Sequence, residues 1–304
     1  MNRGKRYISI AFIIGKDKNY YLLKHGKMPT FGRIYRCKDC NNQLSIDQYF
    51  NHGEICNNCI SNLEHKMDSF QTLLLLSDED IRLKVIHNNS SATSKENKLW
   101  IIEYNHYHPI YELTHELGHI FIYKKTNYIH FAQQPEASIR NQIEKVFDYS
   151  NHLIDCFVDY NLSNFTEIYA SYVDYIKEII NGIKSIDTNH EFYELLGGFL
   201  KFYISCHFIL KNEEKEQLQN NIEEALSNLG NVILRKSNNN KNLGLIDYLN
   251  EKNLLEIKNS LNNFDVIKDT DDNSVIKNFI YNILKLIPFI ENNNLDNKFN
   301  LIYP

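Results

Sequence analysis

Three residues at helical spacing have the side chains needed to bind a metal ion and use it for hydrolysis. They are His115, Glu116 and His119, within the sequence His-Glu-Leu-Gly-His. Residues four apart lie on one face of a helix, so both imidazoles can bind one zinc ion. Glu116 lies beside them and can reach a water on that ion. Gly118 has no side chain, which allows another segment of the chain to approach closely.

The motif resembles that of the zincin metallopeptidases, over about residues 98–162. A segment rich in β-forming residues, 98–104, precedes the helix, as the edge strand does in zincins. Ile122 and Lys125 replace the glycine and third histidine of the metzincin branch. The resemblance implies peptide hydrolysis, in which zinc activates a water and Glu116, as general base, passes the proton of that water to the leaving amine.

A third metal ligand is needed, because a catalytic zinc has three protein ligands and one open position. In gluzincin-like families a later helix supplies it, often with an acid four residues on. The resemblance therefore implies Asp155 as the third ligand, where the family has Glu, and Asp159 as the acceptor for a histidine N–H. Asp159 itself, His152 and His130 are alternatives, and a solvated acidic face is another.

The oxyanion of the reaction would be stabilised by zinc and by one Tyr or His donor. His152, Tyr160 and Tyr169 are candidates, because they lie near the proposed ligand helix in sequence. His106 and His108 precede the motif helix and are candidates for the wall of the cleft.

A second metal site is indicated by two CxxC pairs. Cys37 and Cys40 form one pair, Cys56 and Cys59 form the other, and 15 residues separate them. Four thiolates at this spacing suit one structural zinc, which gives two zinc ions per chain. Residues 35–70 resemble treble-clef and zinc-ribbon modules, which bind nucleic acid or protein, or staple a small fold.

Charge is distributed unevenly along the chain. The 304 residues have a formal net charge of -5, which argues against a nucleic-acid binder driven by bulk charge. Residues 1–40 contain ten Lys and Arg but two Asp, a balance of +8 that leaves -13 for the other 264 residues. Residues 1–60 could therefore contact nucleic acid or protein, although a solvated hairpin would explain the same lysines.

Two apolar segments bear on whether the chain is secreted or inserted in a membrane. Residues 7–15 are apolar and follow basic residues as in a signal peptide, but no small-residue cleavage site follows, so we predict a β-strand. The apolar stretch 192–210 is interrupted by Glu194, Lys201 and His207, which predicts a buried helix and no membrane span. Paired cysteines of metal-binding type favour a reducing, cytoplasmic location.

The pattern as a whole predicts a predominantly helical α+β protein in three parts. These are a β-hairpin and zinc module over 1–62, a zincin-like catalytic core over 63–164, and a helical C-terminal domain over 165–304. Strands are predicted at 82–86 and 98–104, with a polar loop at 88–97 between them. Helices are predicted at 59–76, 109–123, 135–148, 150–162, 165–184, 190–211, 213–234, 244–262 and 273–290.

These patterns lead to one principal functional prediction, an intracellular zinc metallopeptidase acting on a protein or peptide. One alternative is a regulator that binds DNA or protein through its zinc module and cleaves a single partner. A non-catalytic zincin scaffold and a zinc hydrolase with a non-peptide substrate are two others. The intact Glu116 favours catalysis over the scaffold.

Overall fold

The computed structural model describes residues 35–45, 49, 54–86, 91–126, 140–184, 186, 192–242 and 249–287. The predicted strand at 7–15 and the alternative ligand His130 lie outside these residues. The chain divides into two compact units, residues 1–108 and residues 109–304. The three-part division at residues 62 and 164 stays a prediction, whereas the predominantly helical α+β fold is confirmed.

The first unit contains short strands, one helix and a three-stranded sheet. Its elements are β1 (Tyr35–Arg36), β2 (Gln43–Leu44), α1 (Asn57–Leu73), β3 (Asp80–Ile86), β4 (Ala92–Glu96) and β5 (Leu99–Asn105). β1 and β2 form an antiparallel pair. The larger sheet has the order β3-β5-β4, with β3 parallel and β4 antiparallel to β5. Strand β5 buries Trp100, Ile102 and Tyr104 on alternate positions, as a half-buried strand requires.

Strand β4 corrects the prediction of a polar loop over residues 88–97. Residues 92–96 pair with β5, with Thr93 opposite Ile102. The segment lacks apolar alternation because it lies at the edge of the sheet, where its side chains are not buried in the core. Asn97, at φ 59°, provides the left-handed residue that reverses the chain between β4 and β5.

The described residues of the second unit form helices joined by turns, with no strand among them. Its elements are α2 (Ile110–Thr126), α3 (Arg140–Leu162), α4 (Thr166–Lys184), α5 (Phe192–Ile204), a π-helical turn (Ser205–Ile209), α6 (Asn212–Asn242), α7 (Glu251–Leu261), α8 (Phe264–Ile267) and α9 (Asn273–Leu284). Helix α3 is continuous where the sequence predicted two helices, 135–148 and 150–162. Helix α3 packs against both α2 and α5, so the helix predicted to carry the third ligand lies between them.

The core of this unit is apolar and aromatic. Tyr111, Phe157, Tyr172, Phe199 and Phe264 are among its fully buried side chains. Among the residues that the structure describes, no helix is both long and apolar enough to cross a membrane.

Candidate metal centres

Helix α2 places the histidines of the motif together in the second unit. His115 and Glu116 are buried, and the rings of His115 and His119 lie 4.9 Å apart between centroids, at 89° to each other. The apolar residues Leu113, Leu117 and Ile120 are fully buried and anchor the helix in the core. The packing of these residues thus determines which face of α2 carries the two imidazoles.

Gly118 allows α3 to approach this helix. A Cβ atom at position 118 would lie 2.6 Å from Cγ1 of Val158 and 2.8 Å from Cδ1 of Leu162, closer than real Cβ contacts. The prediction that another segment approaches at Gly118 is therefore confirmed.

Asp155 on α3 completes a group of three potential ligands, which we call the helical metal group (His115, His119 and Asp155). One nitrogen or oxygen from each residue lies within 4.8 Å of the others. Oδ1 of Asp155 is 3.4 Å from Nε2 of His115 and 3.4 Å from Nε2 of His119. Zinc bonds of about 2.1 Å in a tetrahedron place neighbouring ligand atoms about 3.4 Å apart. The spacing and the donor types of this group therefore fit zinc.

Asp159 lies one turn beyond Asp155 and holds the orientation of His115. Its Oδ1 is 2.6 Å from Nδ1 of His115 and also accepts a 2.6 Å hydrogen bond from the hydroxyl of Tyr111. In the neutral form of His115 that can bind a metal, Nδ1–H would donate to Asp159 and the lone pair of Nε2 would be free for the metal. The structure therefore places the carboxylate of Asp159 within hydrogen-bond distance of His115.

Lys201 on α5 is a member of the site that the sequence analysis missed. Its Nζ donates to Oδ2 of Asp155 at 2.9 Å and lies 3.7 Å from Oδ2 of Asp159. Its side chain is 16% exposed and that of Asp159 is fully buried. Lys201 therefore compensates two carboxylates that burial would otherwise make costly. Only its interruption of an apolar helical stretch marked Lys201 in the sequence.

Burial and charge together set the protonation of this cluster. Burial opposes ionisation of Asp155 and Asp159, yet Lys201 and His115 hold the pKa of both carboxyls below their usual range. Burial likewise disfavours the imidazolium form of His115, but the neighbouring charge of Asp159 outweighs it and raises the pKa to about 10. His115 must be neutral to bind a metal ion, so metal binding at this residue would release a proton.

No family model matches the chain, and no curated protein or solved structure matches it either.

The four paired cysteines lie together in the first unit and form what we call the cysteine cluster (Cys37, Cys40, Cys56 and Cys59). Their sulfur atoms lie within metal-binding distance of one another. Sγ of Cys37 is 3.7 Å from Sγ of Cys59, and Sγ of Cys40 is 3.6 Å from Sγ of Cys56. Zinc–sulfur bonds of about 2.3 Å in a tetrahedron give a sulfur–sulfur spacing of about 3.8 Å, so the cluster fits one zinc ion.

Backbone turns hold the cysteine cluster. The first pair lies in the turn between β1 and β2, where Asn41 adopts φ 61°, and the second pair lies at the start of α1. Burial opposes ionisation of Cys37, but backbone N–H groups of Cys40 and Cys56 stabilise its thiolate and lower its pKa to about 7. The thiolate form is the metal ligand, so these N–H groups favour metal binding by Cys37, whereas burial and the neighbouring thiols raise the pKa of Cys59.

Other residues named from the sequence have different surroundings. His152 packs against Gly197, and its Nδ1 is buried without a hydrogen-bond partner in the described structure. The hydroxyl of Tyr160 donates to Asp269, and that of Tyr169 donates to Glu214. His106 and His108 belong to the first unit, where His106 is buried. The predicted roles of these residues in the oxyanion site or cleft stay predictions.

Proposed function

We propose that the chain is a zinc-dependent hydrolase that cleaves peptide bonds, with its active site at the helical metal group. The observation that carries the proposal is the position of Oδ1 of Asp155, 3.4 Å from Nε2 of both motif histidines. Zinc in such a site supplies the Lewis acidity that activates water near neutral pH. A three-residue donor set leaves one coordination position for that chemistry.

The chain's own residues provide the rest of the reaction. Glu116 follows His115 directly on α2 and is buried, and its carboxylate would accept a proton from the attacking water and deliver it to the leaving nitrogen. Asp159 keeps His115 in the correct tautomer through the 2.6 Å contact with Nδ1. Lys201 holds the second oxygen of Asp155 and so orients this carboxylate.

We further propose that the cysteine cluster binds a structural zinc in a treble-clef-like or zinc-ribbon-like module. The support is the sulfur spacing of 3.6 and 3.7 Å and the helix that begins at the second cysteine pair. Binding of nucleic acid or protein through residues 1–60 stays a prediction, because residues 1–34 lie outside the described part of the chain.

Counting zinc and measuring hydrolysis test the proposal together. Elemental analysis should find two zinc ions per chain, and one in each of the variants His115→Ala and Cys37→Ser. His207→Ala, which removes an exposed histidine, should retain both. Two ions retained in His115→Ala would show that the helical metal group is not the binding site.

The role of Glu116 is tested by Glu116→Gln. This variant should retain two zinc ions but cleave a mixed peptide library at least about 100-fold more slowly, because the proton acceptor is lost. Glu167→Gln, an exposed change on α4, should cleave at the normal rate. Equal rates in wild type and Glu116→Gln would exclude the proposed mechanism.

A further inference from the structure

A cavity of about 260 Å³ lies among α3, α4, α5 and α6, entirely within the second unit. Aliphatic and aromatic side chains form most of its wall, among them Ile176, Ile179, Ile183, Leu195 and Phe202. We call this space the apolar cavity. All of these side chains are buried except Ile179, which is half-buried. Their packing in the helical core means that the cavity is preformed.

One end of the apolar cavity belongs to the helical metal group. Asp155 and Lys201 both line the cavity, and Asp155 also turns Oδ1 towards the motif histidines. His115, Glu116 and His119 do not line the cavity, so a molecule bound there would meet the helical metal group on the side of Asp155 and Lys201. Glu194, which is exposed, also lines the cavity.

Lys201 supplies a hydrogen-bond donor at this polar end. An ammonium group has three N–H donors, and Lys201 directs them towards Oδ2 of Asp155 at 2.9 Å and Oδ2 of Asp159 at 3.7 Å. The third donor can serve a carbonyl oxygen in the cavity. A peptide offers the matching arrangement, since each side chain is attached next to a carbonyl group.

We propose that the apolar cavity binds a large apolar side chain of the peptide substrate, branched aliphatic or aromatic, while Lys201 donates to the adjoining carbonyl oxygen. This inference rests on the proposed peptidase function and adds the substrate class. A charged side chain would lose its hydration against Ile176 and Phe202, and an alanine side chain would leave most of the volume unfilled.

Two glycines provide a matched pair for the test. Gly198 lines the cavity, and a Cβ atom built there meets nothing within 4 Å, so a larger side chain can grow into the open space. Gly182 on α4 is also helical and equally unobstructed, but it does not line the cavity. Gly198→Phe should fill the cavity, Gly198→Leu should fill it in part, and Gly182→Phe should leave it open.

The first experiment measures binding of a small amino-acid amide, so it does not depend on hydrolysis. Saturation-transfer NMR on the Glu116→Gln chain should detect the methyl groups of N-acetyl-leucinamide far more strongly than those of N-acetyl-alaninamide. The leucine signal should fall at least about tenfold when Gly198→Phe is added, and by less with Gly198→Leu. Gly182→Phe should leave it unchanged, and the melting temperature of each variant confirms that it folds.

Cleavage of a peptide library by the active chain then separates the two proposals. Wild type and Gly182→Phe should cut beside leucine, isoleucine or phenylalanine, and Gly198→Phe should shift the preference to alanine or glycine. Leucine binding that is absent, or that persists unchanged in Gly198→Phe, overturns the cavity assignment. Leucine binding that Gly198→Phe abolishes, with no library peptide cut by any variant, retains the assignment and overturns the peptidase function.

Discussion

The two candidate metal centres have similar distances between their potential ligand atoms, but different parts of the structure support them. Backbone turns and a core of few residues, with Tyr35, Leu44 and Ile55 beside the sulfurs, surround the cysteine cluster. The helical metal group lies between long helices and is held by buried charges, with Asp159 and Lys201 as counter-charges. The first resembles a site whose fold depends on its metal, and the second a site that its fold prepares for a metal.

Removal of metal should separate the two centres most sharply. After chelation, amide hydrogen exchange in residues 35–60 should accelerate to that of an open chain, because the small core cannot replace the metal bonds. Residues 110–126 and 149–162 should keep most of their protection, since Lys201 and the two carboxylates still compensate one another. Equal loss of protection in both regions would abolish the distinction between the centres.

The next largest effect should come from Lys201→Met. This change leaves Asp155 and Asp159 buried without their main counter-charge. The free energy of unfolding of the metal-free chain, measured in urea, should therefore fall by about 3–5 kcal/mol. Lys84→Met is the control, because Lys84 pairs with Glu103 on the surface sheet and its side chain is 56% exposed. That change should cost less than about 1 kcal/mol. Similar losses in both variants would contradict the role given to Lys201.

A smaller effect is expected at the contact between α2 and α3. Gly118→Ala should lower the free energy of unfolding by about 1–3 kcal/mol, because the added methyl meets Val158 and Leu162 at under 3 Å. Gly182→Ala should raise it by about 0.5–1 kcal/mol, since a helical glycine with open space gains from alanine. If urea denaturation gives the same sign for both, the helices approach less closely than described.

Local spacing explains what could be predicted of these sites. Residues four apart on a helix share a face, so His115 with His119, and Asp155 with Asp159, could each be paired from the sequence. A tight turn is likewise enough to bring the two thiols of a CxxC pair together. In each case the chemistry depends on residues that are close in the chain, and the structure brings them together.

Long-range packing explains what could not be predicted. Lys201 is 46 positions from Asp155, and no motif connects them. Tyr111 is hidden among 20 tyrosines, and only the fold reveals its bond to Asp159. Strand β4 is polar because it lies at a sheet edge, so its pairing with β5 leaves no apolar signal in the sequence.

The two oxygens of Asp155 have different partners, which has a consequence for metal selectivity. Oδ1 of Asp155 faces the histidines, and Oδ2 accepts a hydrogen bond from Lys201. This carboxylate can therefore coordinate a cation through Oδ1 but not through both oxygens. Calcium prefers six to eight oxygen ligands and commonly takes a carboxylate in that two-oxygen mode. In the proposed zinc site Lys201 would therefore disfavour large, hard cations, and the two imidazole nitrogens and one carboxylate oxygen that remain are donors suited to zinc.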